Sequence, residues 1–304
     1  MHTCILWVLN SRIYINLIMI TPEAFKNEVD RIIENAIRED VGPGDHSSLA
    51  CIDKKSLGTA ELLVKDEGII AGVDFAKQLL NYVDPELEVD VRIKDGTTIS
   101  YGDIVLYISG SSQSILKAER TMLNSMQRMS AIATKTKEYV DAVAGTGAKI
   151  LDTRKTTPGF RALEKWAVKI GGGVNHRFAL YDAIMLKDNH IDMSGGVAKA
   201  ISKTHAYLKE NNLNIPLIVE ARTLKEIEAI LKAGGVNRIL IDNFNYTDTR
   251  TAVALIGDQC ETESSGGIDL ETVRGYADCG VNYISVGALT HSVYNKDLSL
   301  NAVE

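Results

Sequence analysis

Apolar residues Phe25, Val29, Ile32, Ile33 and Ala36 recur at three- and four-residue intervals, the spacing of one helix face. Thr21 stands at the capping position of this segment and Pro22 at its first helical position. The next stretch, "EDVGPGDHSS", reads as a loop from its glycines and proline. From about residue 58 to 110 the period shortens. "TAELLVKDEGIIAG", "EVDVRIKDGTTI" and "DIVLYISG" predict strands around one helix, "DFAKQLLNYV". A long helical pattern then starts at Ser114 and continues through "AERTMLNSMQRMSAIATKTKEYVDAVA".

Beyond that helix the pattern alternates. Short apolar runs "AKIL", "DAIML", "IPLIV", "RILI", "CETE" and "YISV" are separated by helical segments such as "GVAKAISKTHAYLKE" and "TLKEIEAILKAG". Repeated βα units predict a parallel sheet, and six in succession favour barrel closure over an open sheet. The expected class is α/β, with an N-terminal α/β sandwich domain (19–123) followed by an α/β barrel (124–291) and a tail (292–304).

Composition narrows the function. With 304 residues, a formal net charge of −7 and 45% hydrophobic residues, the chain reads as an ordinary globular protein. The acidic balance argues against general nucleic-acid binding. Cys4, Cys51, Cys260 and Cys279 show no metal-type spacing, so reduced thiols and a cytoplasmic location are expected. The apolar start, "MHTCILWVLNSRIYINLIMI", is broken by Arg12 and each half is too short to span a bilayer. Translation is expected to begin at Met19, making residues 1–18 an upstream leader. A membrane anchor is the competing reading.

Charged residues stand where the apolar runs end: Asp152, Lys187, Glu220, Asp242 and Glu263, with Gly287 closing the last. The carboxyl ends of parallel barrel strands are where sites are built. Glu220 in "LIVEA" and Asp242 in "LIDNF" lie in neighbouring units, and two carboxylates with open positions suit Mg²⁺ held jointly with substrate phosphates. Each could instead cap the helix that follows it. "ESSGGID" and "SVGALTHS" look like phosphate cradles, offering Ser264, Ser265, Gly266, Gly267, Gly287 and Ala288. Opposite them "DTRKTTPGFR" and "GGGVNHRFALYDAIMLKDNH" gather Arg154, Lys155, Arg161, His176, Arg177 and Lys187, with Arg120 upstream. Neighbouring apolar residues predict burial of these cations, and buried cations need anionic partners. Gly171 to Gly173 predict a mobile or tight loop.

At "DTRKTTPGFRALEKWAVKIGGGVNHR", "IMLKDNH", "LIVEA", "LIDNF" and "ESSGGI…VGALTHS" the chain resembles the quinolinate phosphoribosyltransferases, pentosyltransferases of NAD biosynthesis. The resemblance runs from Met19 onward and includes "AERTMLN". It implies an incomplete, roughly seven-stranded barrel, association as a homodimer or hexamer, and Mg²⁺. It also implies two substrates, quinolinate and phosphoribosyl pyrophosphate. By the same resemblance Thr153, Arg154, His176, Arg177 and Lys187 surround the pyridine dicarboxylate, and Arg120 reaches in from a partner subunit. Lys155 faces the pyrophosphate, and Glu220 and Asp242 face the ribose hydroxyls and Mg²⁺, directly or through water. Ser265, Gly266, Gly267, Val286 and Gly287 hold the 5′-phosphate, with His291 close by. Lys155, Lys187, Glu220 and Asp242 are the expected catalytic set.

Three other readings remain open on sequence. One keeps the fold and changes the substrate, as in nicotinate-type transferases or a relative encoded with molybdate transport genes. A second is a phosphate-binding aldolase with Lys187 as Schiff-base amine. The third is a non-catalytic ligand sensor.

Overall fold

The computed structural model describes residues 20–303. The expectations placed on residues 1–18 and on Met19 lie outside them. Helix α1 (Pro22–Val41) begins as its sequence predicts. Thr21 accepts a hydrogen bond from the Ala24 N–H at 3.1 Å, and Val29, Ile32 and Ile33 are buried. The following stretch is not all loop. Asp45 accepts from the backbone N–H groups of Ser47 and Ser48 and starts a short helix, α2 (His46–Cys51). The single side-chain cap outweighs the two preceding glycines.

The first sheet is antiparallel. Its members are β1 (Leu57–Val64), β3 (Glu88–Val91) and β5 (Ile104–Ser111), with β2 (Gly68–Ile69) and β4 (Thr98–Ile99) pairing separately. Helix α3 (Val73–Val83) follows β2, with Phe75, Ala76, Leu79 and Leu80 fully buried. In β1 the buried residues are Ala60, Leu62 and Val64, the two-residue alternation of a strand with one core face. Helix α4 (Ser112–Ala142) runs out of this layer into the next and carries the sequence-based 123/124 division inside it.

The second sheet has six parallel strands. In chain order these are β6 (Lys149–Leu151), β7 (Ile184–Leu186), β8 (Leu217–Ala221), β9 (Arg238–Asp242), β10 (Glu261–Ser265) and β11 (Tyr283–Ser285). Their spatial order is β6-β11-β10-β9-β8-β7, so the ring runs from β7 round to β6 and stops. Among the described residues, a single bridge from Val174 to Leu151 stands between those two ends, and the barrel stays open at that seam. Every residue of β8 is buried, as expected for a parallel strand covered on both faces. The connecting helices are α5 (Arg161–Ile170), α6 (Asp188–Ser194), α7 (Val197–Glu210), α8 (Leu224–Ala233), α9 (Tyr246–Ile256), α10 (Val273–Ala277) and α11 (Ala288–His291).

The segment expected as a tail contains β12 (Leu298–Val303), which adds to the first sheet beside β1. Its alternation is weak, and only the pairing with β1 makes it a strand. The glycine run is tight rather than mobile. A Cβ on Gly171 would lie 2.4 Å from the Ala133 carbonyl oxygen of α4, and one on Gly173 would lie 2.8 Å from Thr136.

Candidate active site

A cavity of about 770 Å³ opens at the carboxyl ends of the parallel strands. Its wall includes Thr153, Arg154 and Lys155 after β6, His176 and Arg177 beside the seam, and Lys187 after β7. Glu220 and Asp242 come from β8 and β9, Ser265, Gly266 and Gly267 from the end of β10, and Gly287 and His291 from the end of β11. The basic side chains and the two acids therefore share one mouth. Five sequence-selected residues are not on this wall: Asp152 and Arg161, which support it, Ser264, which is buried within β10, and Arg120 and Val286. Arg120 projects from α4 with its side chain 59% exposed, near Glu119. Val286 is buried, its N–H donating to the Leu151 carbonyl at 2.9 Å.

Burial divides the cations differently from expectation. His176 and Arg177 are buried, but Arg154, Lys155 and Lys187 are exposed to the opening. They follow strand ends, where the chain leaves the sheet and solvent enters. Arg177 donates from Nη1 to the Ala183 carbonyl at 3.0 Å. Burial, and then the charge of Arg154, lowers its guanidinium below the ordinary value. An anion between the two guanidinium groups would relieve that repulsion.

Two residues from the sequence pattern turn out to support the wall. Asp152 is fully buried and holds Lys165 and the His176 N–H. Arg161 donates to Thr156 Oγ1 and the Phe178 carbonyl instead of facing the cavity.

The capping alternative for the two acids does not hold. Helix α8 is capped by Thr223 and α9 by Asn245, so neither helix takes Glu220 or Asp242 as its cap, and both acids line the cavity. Glu220 is raised above the ordinary carboxylate value, first by burial and then by the charge of Asp242, while Lys187 opposes the shift. A cation between the two acids would remove that repulsion. Among the described residues no cluster of three or more potential metal-ligating His, Cys, Asp or Glu side chains exists. Two carboxylates side by side suit a hard cation that keeps several waters.

The glycines after β10 and β11 have steric reasons. Gly266 has φ 103°, and a Cβ there would lie 2.1 Å from Asn243 Oδ1. Asn243, itself at φ 57°, donates its N–H to the Ser265 carbonyl at 2.9 Å. The loops after β9 and β10 are interlocked in this way, bringing Asp242 beside the Ser265–Gly267 turn. A Cβ on Gly287 would lie 3.0 Å from both His291 Nε2 and the Lys155 side chain, so glycine lets these two basic groups converge.

Sequence reasoning placed Ala288 in a cradle and read Glu263 only as a strand-end charge, and it gave no role to the wall residues Met185, Asp188, Leu240, Asn243, Ile268 and Ser285. Four wall residues carry a readable signal. Met185, Leu240, Glu263 and Ser285 stand two residues before Lys187, Asp242, Ser265 and Gly287, so strand alternation turns them to the same side, one level deeper. Glu263 forms part of the floor. Burial would raise its pKa, but the charges of His176 and Arg238 bring it down to about 2.

Strand-end acids, glycine turns and basic side chains around one mouth define a phosphate-handling enzyme of the α/β barrel class. Comparison makes this specific. Residues 132–301 match the family model for the quinolinate phosphoribosyl transferase C-terminal domain, and residues 45–130 match the N-terminal domain model. The chloroplastic nicotinate-nucleotide pyrophosphorylase [carboxylating] of Arabidopsis thaliana is 43% identical, over 90% of this chain and 82% of its own length. A probable enzyme of the same name from Bacillus subtilis (strain 168) is 39% identical, over 90% of this chain and 93% of its own length. The crystal structure of NadC from Streptococcus pyogenes superposes with a TM-score of 0.85 at 38% identity, covering 91% of this chain and 98% of that one. The chain belongs to the quinolinate phosphoribosyltransferase family.

Proposed function

We propose that this protein transfers the phosphoribosyl group of phosphoribosyl pyrophosphate to quinolinate with decarboxylation. The products are nicotinate mononucleotide, pyrophosphate and CO₂, in NAD biosynthesis. The single observation that carries the site assignment is the cavity itself. It places Arg154, His176, Arg177 and Lys187 in one chamber with Glu220, Asp242 and the Ser265–Gly267 turn. A basic half suits a planar dicarboxylate, which arginine can grip through two oxygens. The acid-and-glycine half suits a phosphorylated ribose.

In this reading Arg154, Arg177, His176, Lys187 and Thr153 orient quinolinate. Ser265, Gly266, Gly267 and Gly287 bind the 5′-phosphate, with His291 beside them and the Val286 backbone beneath. Glu220 and Asp242 receive the ribose hydroxyls and would hold Mg²⁺, which supplies positive charge to the pyrophosphate when bound. Lys155 lies on the same wall and neutralises the leaving group. The bond from ribose C1 to the pyrophosphate oxygen breaks, and the pyridine nitrogen forms a bond to C1. The quaternised ring then accepts the electron pair left when the adjacent carboxylate departs as CO₂, and that carbon takes a proton. The protein contributes position and electrostatics.

Arg120 does not line its own chain's cavity, and we assign it to the site of a second copy. A dimer or a hexamer meets that requirement. No helix among the described residues is long and apolar enough to cross a membrane, and a cytoplasmic location goes with this reading.

Incubation with quinolinate, phosphoribosyl pyrophosphate and Mg²⁺, followed by mass detection of nicotinate mononucleotide and CO₂, tests the proposal. Product from nicotinate but none from quinolinate would reassign the substrate. Binding of both substrates without pyrophosphate release would favour a sensor.

A further inference from the structure

We infer that Lys165 and Arg161, one turn apart on α5, are positioning residues that set the spacing of two cationic loops, 153–156 and 175–178. The fit of the pyridine dicarboxylate depends on that spacing. The inference rests on the proposed reaction, and neither residue is on the cavity wall.

Each of the two makes contact with both loops or their anchors. Lys165 Nζ donates to Asp152, the residue just before Thr153, and to the His176 carbonyl at 3.0 Å. Asp152 in turn accepts from the His176 N–H at 2.8 Å and from Asn175 Nδ2 at 2.6 Å. Arg161 donates from Nε to Thr156 Oγ1 at 3.0 Å and from Nη1 to the Phe178 carbonyl at 3.2 Å. The sheet contributes to this spacing only at the roots of the loops, where the Asp152 N–H donates to the Val174 carbonyl and the Val174 N–H to the Ile150 carbonyl. The two loops flank the open seam, where backbone pairing amounts to the single Leu151–Val174 bridge. The loops also carry Arg154 and Arg177, whose like charges push them apart. Side chains from α5 therefore replace the missing ladder and hold two repelling cations at a fixed separation.

Bulk stability is a weak explanation for the pair. A buried ion pair commonly contributes no more than well-packed apolar residues of similar volume. The segment that carries Lys155 has further ties of its own, to α11 and to Glu164 of α5. Thr290 Oγ1 donates to the Lys155 carbonyl at 2.7 Å, and Glu164 accepts from the Thr157 N–H and hydroxyl. Loosening the Asp152–Lys165 and Arg161 ties should thus disturb quinolinate and spare phosphoribosyl pyrophosphate.

Steady-state constants of the full chain carrying both Asp152→Asn and Lys165→Met provide the test, because this pair of changes leaves no buried charge unpaired. The KM for quinolinate is expected to rise about tenfold or more, with the KM for phosphoribosyl pyrophosphate within about twofold. Arg161→Gln, at a half-buried position where folding tolerates the change, is expected to raise the quinolinate KM about threefold. It decides the question alone if the double variant does not fold. Ile227→Ala, in the α8 core away from the cavity, controls for loss of stability and should leave the quinolinate KM unchanged. Equal rises in both KM values, unchanged constants in folded variants, or a rise in the Ile227 control would overturn the inference. Absence of product from the unaltered chain would overturn the reaction itself, and this inference with it.

Discussion

His176 and Glu263 face each other at the floor of the cavity, Nε2 lying 3.3 Å from Oε2, with both side chains almost wholly removed from solvent. The contact is close enough for charge pairing, though it is not aligned as a hydrogen bond. Behind Glu263, Arg238 donates from Nη1 at 3.0 Å and stacks over Tyr283, its guanidinium carbon 3.9 Å from the ring centre. A carboxylate under a basic pocket offsets its charge from below while the opening stays positive.

This arrangement has a pH signature. The Glu263 carboxyl is held at about 2 against an ordinary 4.5. A lowered folded value gives stability that is present above pH 4.5 and lost as pH falls toward 2. Glu263→Gln should lose about 3 kcal/mol at neutral pH and flatten the acid limb of a calorimetric stability curve. An unchanged limb would remove Glu263 from the account.

Glu220 has the opposite sign. Its folded pKa is raised, so ionisation costs stability, and the cost grows as pH rises through that value. Glu220→Gln should raise Tm by a few degrees at neutral pH and leave it unchanged well below pH 4.5. The same variant should lower kcat/KM for phosphoribosyl pyrophosphate by about a hundredfold. A lower Tm at neutral pH would contradict the repulsion between Glu220 and Asp242.

Metal removal separates the two halves of the cavity. With EDTA in excess, turnover should stop while quinolinate still binds in isothermal calorimetry. Full turnover without divalent cation would refute the role proposed for the acid pair.

Arg177→Ala should weaken quinolinate by about a hundredfold, close to 3 kcal/mol, and phosphoribosyl pyrophosphate much less. Equal losses for both substrates in steady-state assays would contradict a dicarboxylate role. Lysine is not expected to restore binding, because a point charge cannot reproduce the two-pronged grip of arginine.

Gly266→Ala probes the interlocked turns. Its φ of 103° and the approach of Asn243 leave no place for a methyl group. The variant should lose about 1–3 kcal/mol of stability by thermal denaturation and raise the KM for phosphoribosyl pyrophosphate. Wild-type values for both would show that the turn has room to adjust.

The sequence by itself determined the repeating βα order, because buried parallel strands and amphipathic helices leave opposite periodicities. It also determined which residues stand at strand ends. Glu220, Asp242 and Gly287 were legible because polar or glycine positions interrupt apolar runs at a fixed place in each unit. Helix α2 and strand β12 were not legible. One depends on the local cap at Asp45, and the other on a partner strand more than two hundred residues away in the chain.

Only the tertiary structure decided where the barrel stays open and which cations serve the cavity. Arg154 and Arg161 look alike in "TRKTTPGFR", yet one points into the opening and the other braces the seam. Glu263 and Asp152 likewise read as strand-end charges in the sequence, but Glu263 lies in the middle of β10, and both are fully buried with partners from other segments. Charge and spacing are local properties of a chain. The side on which a charge lands, and what it meets there, follows from how the strands close around one another.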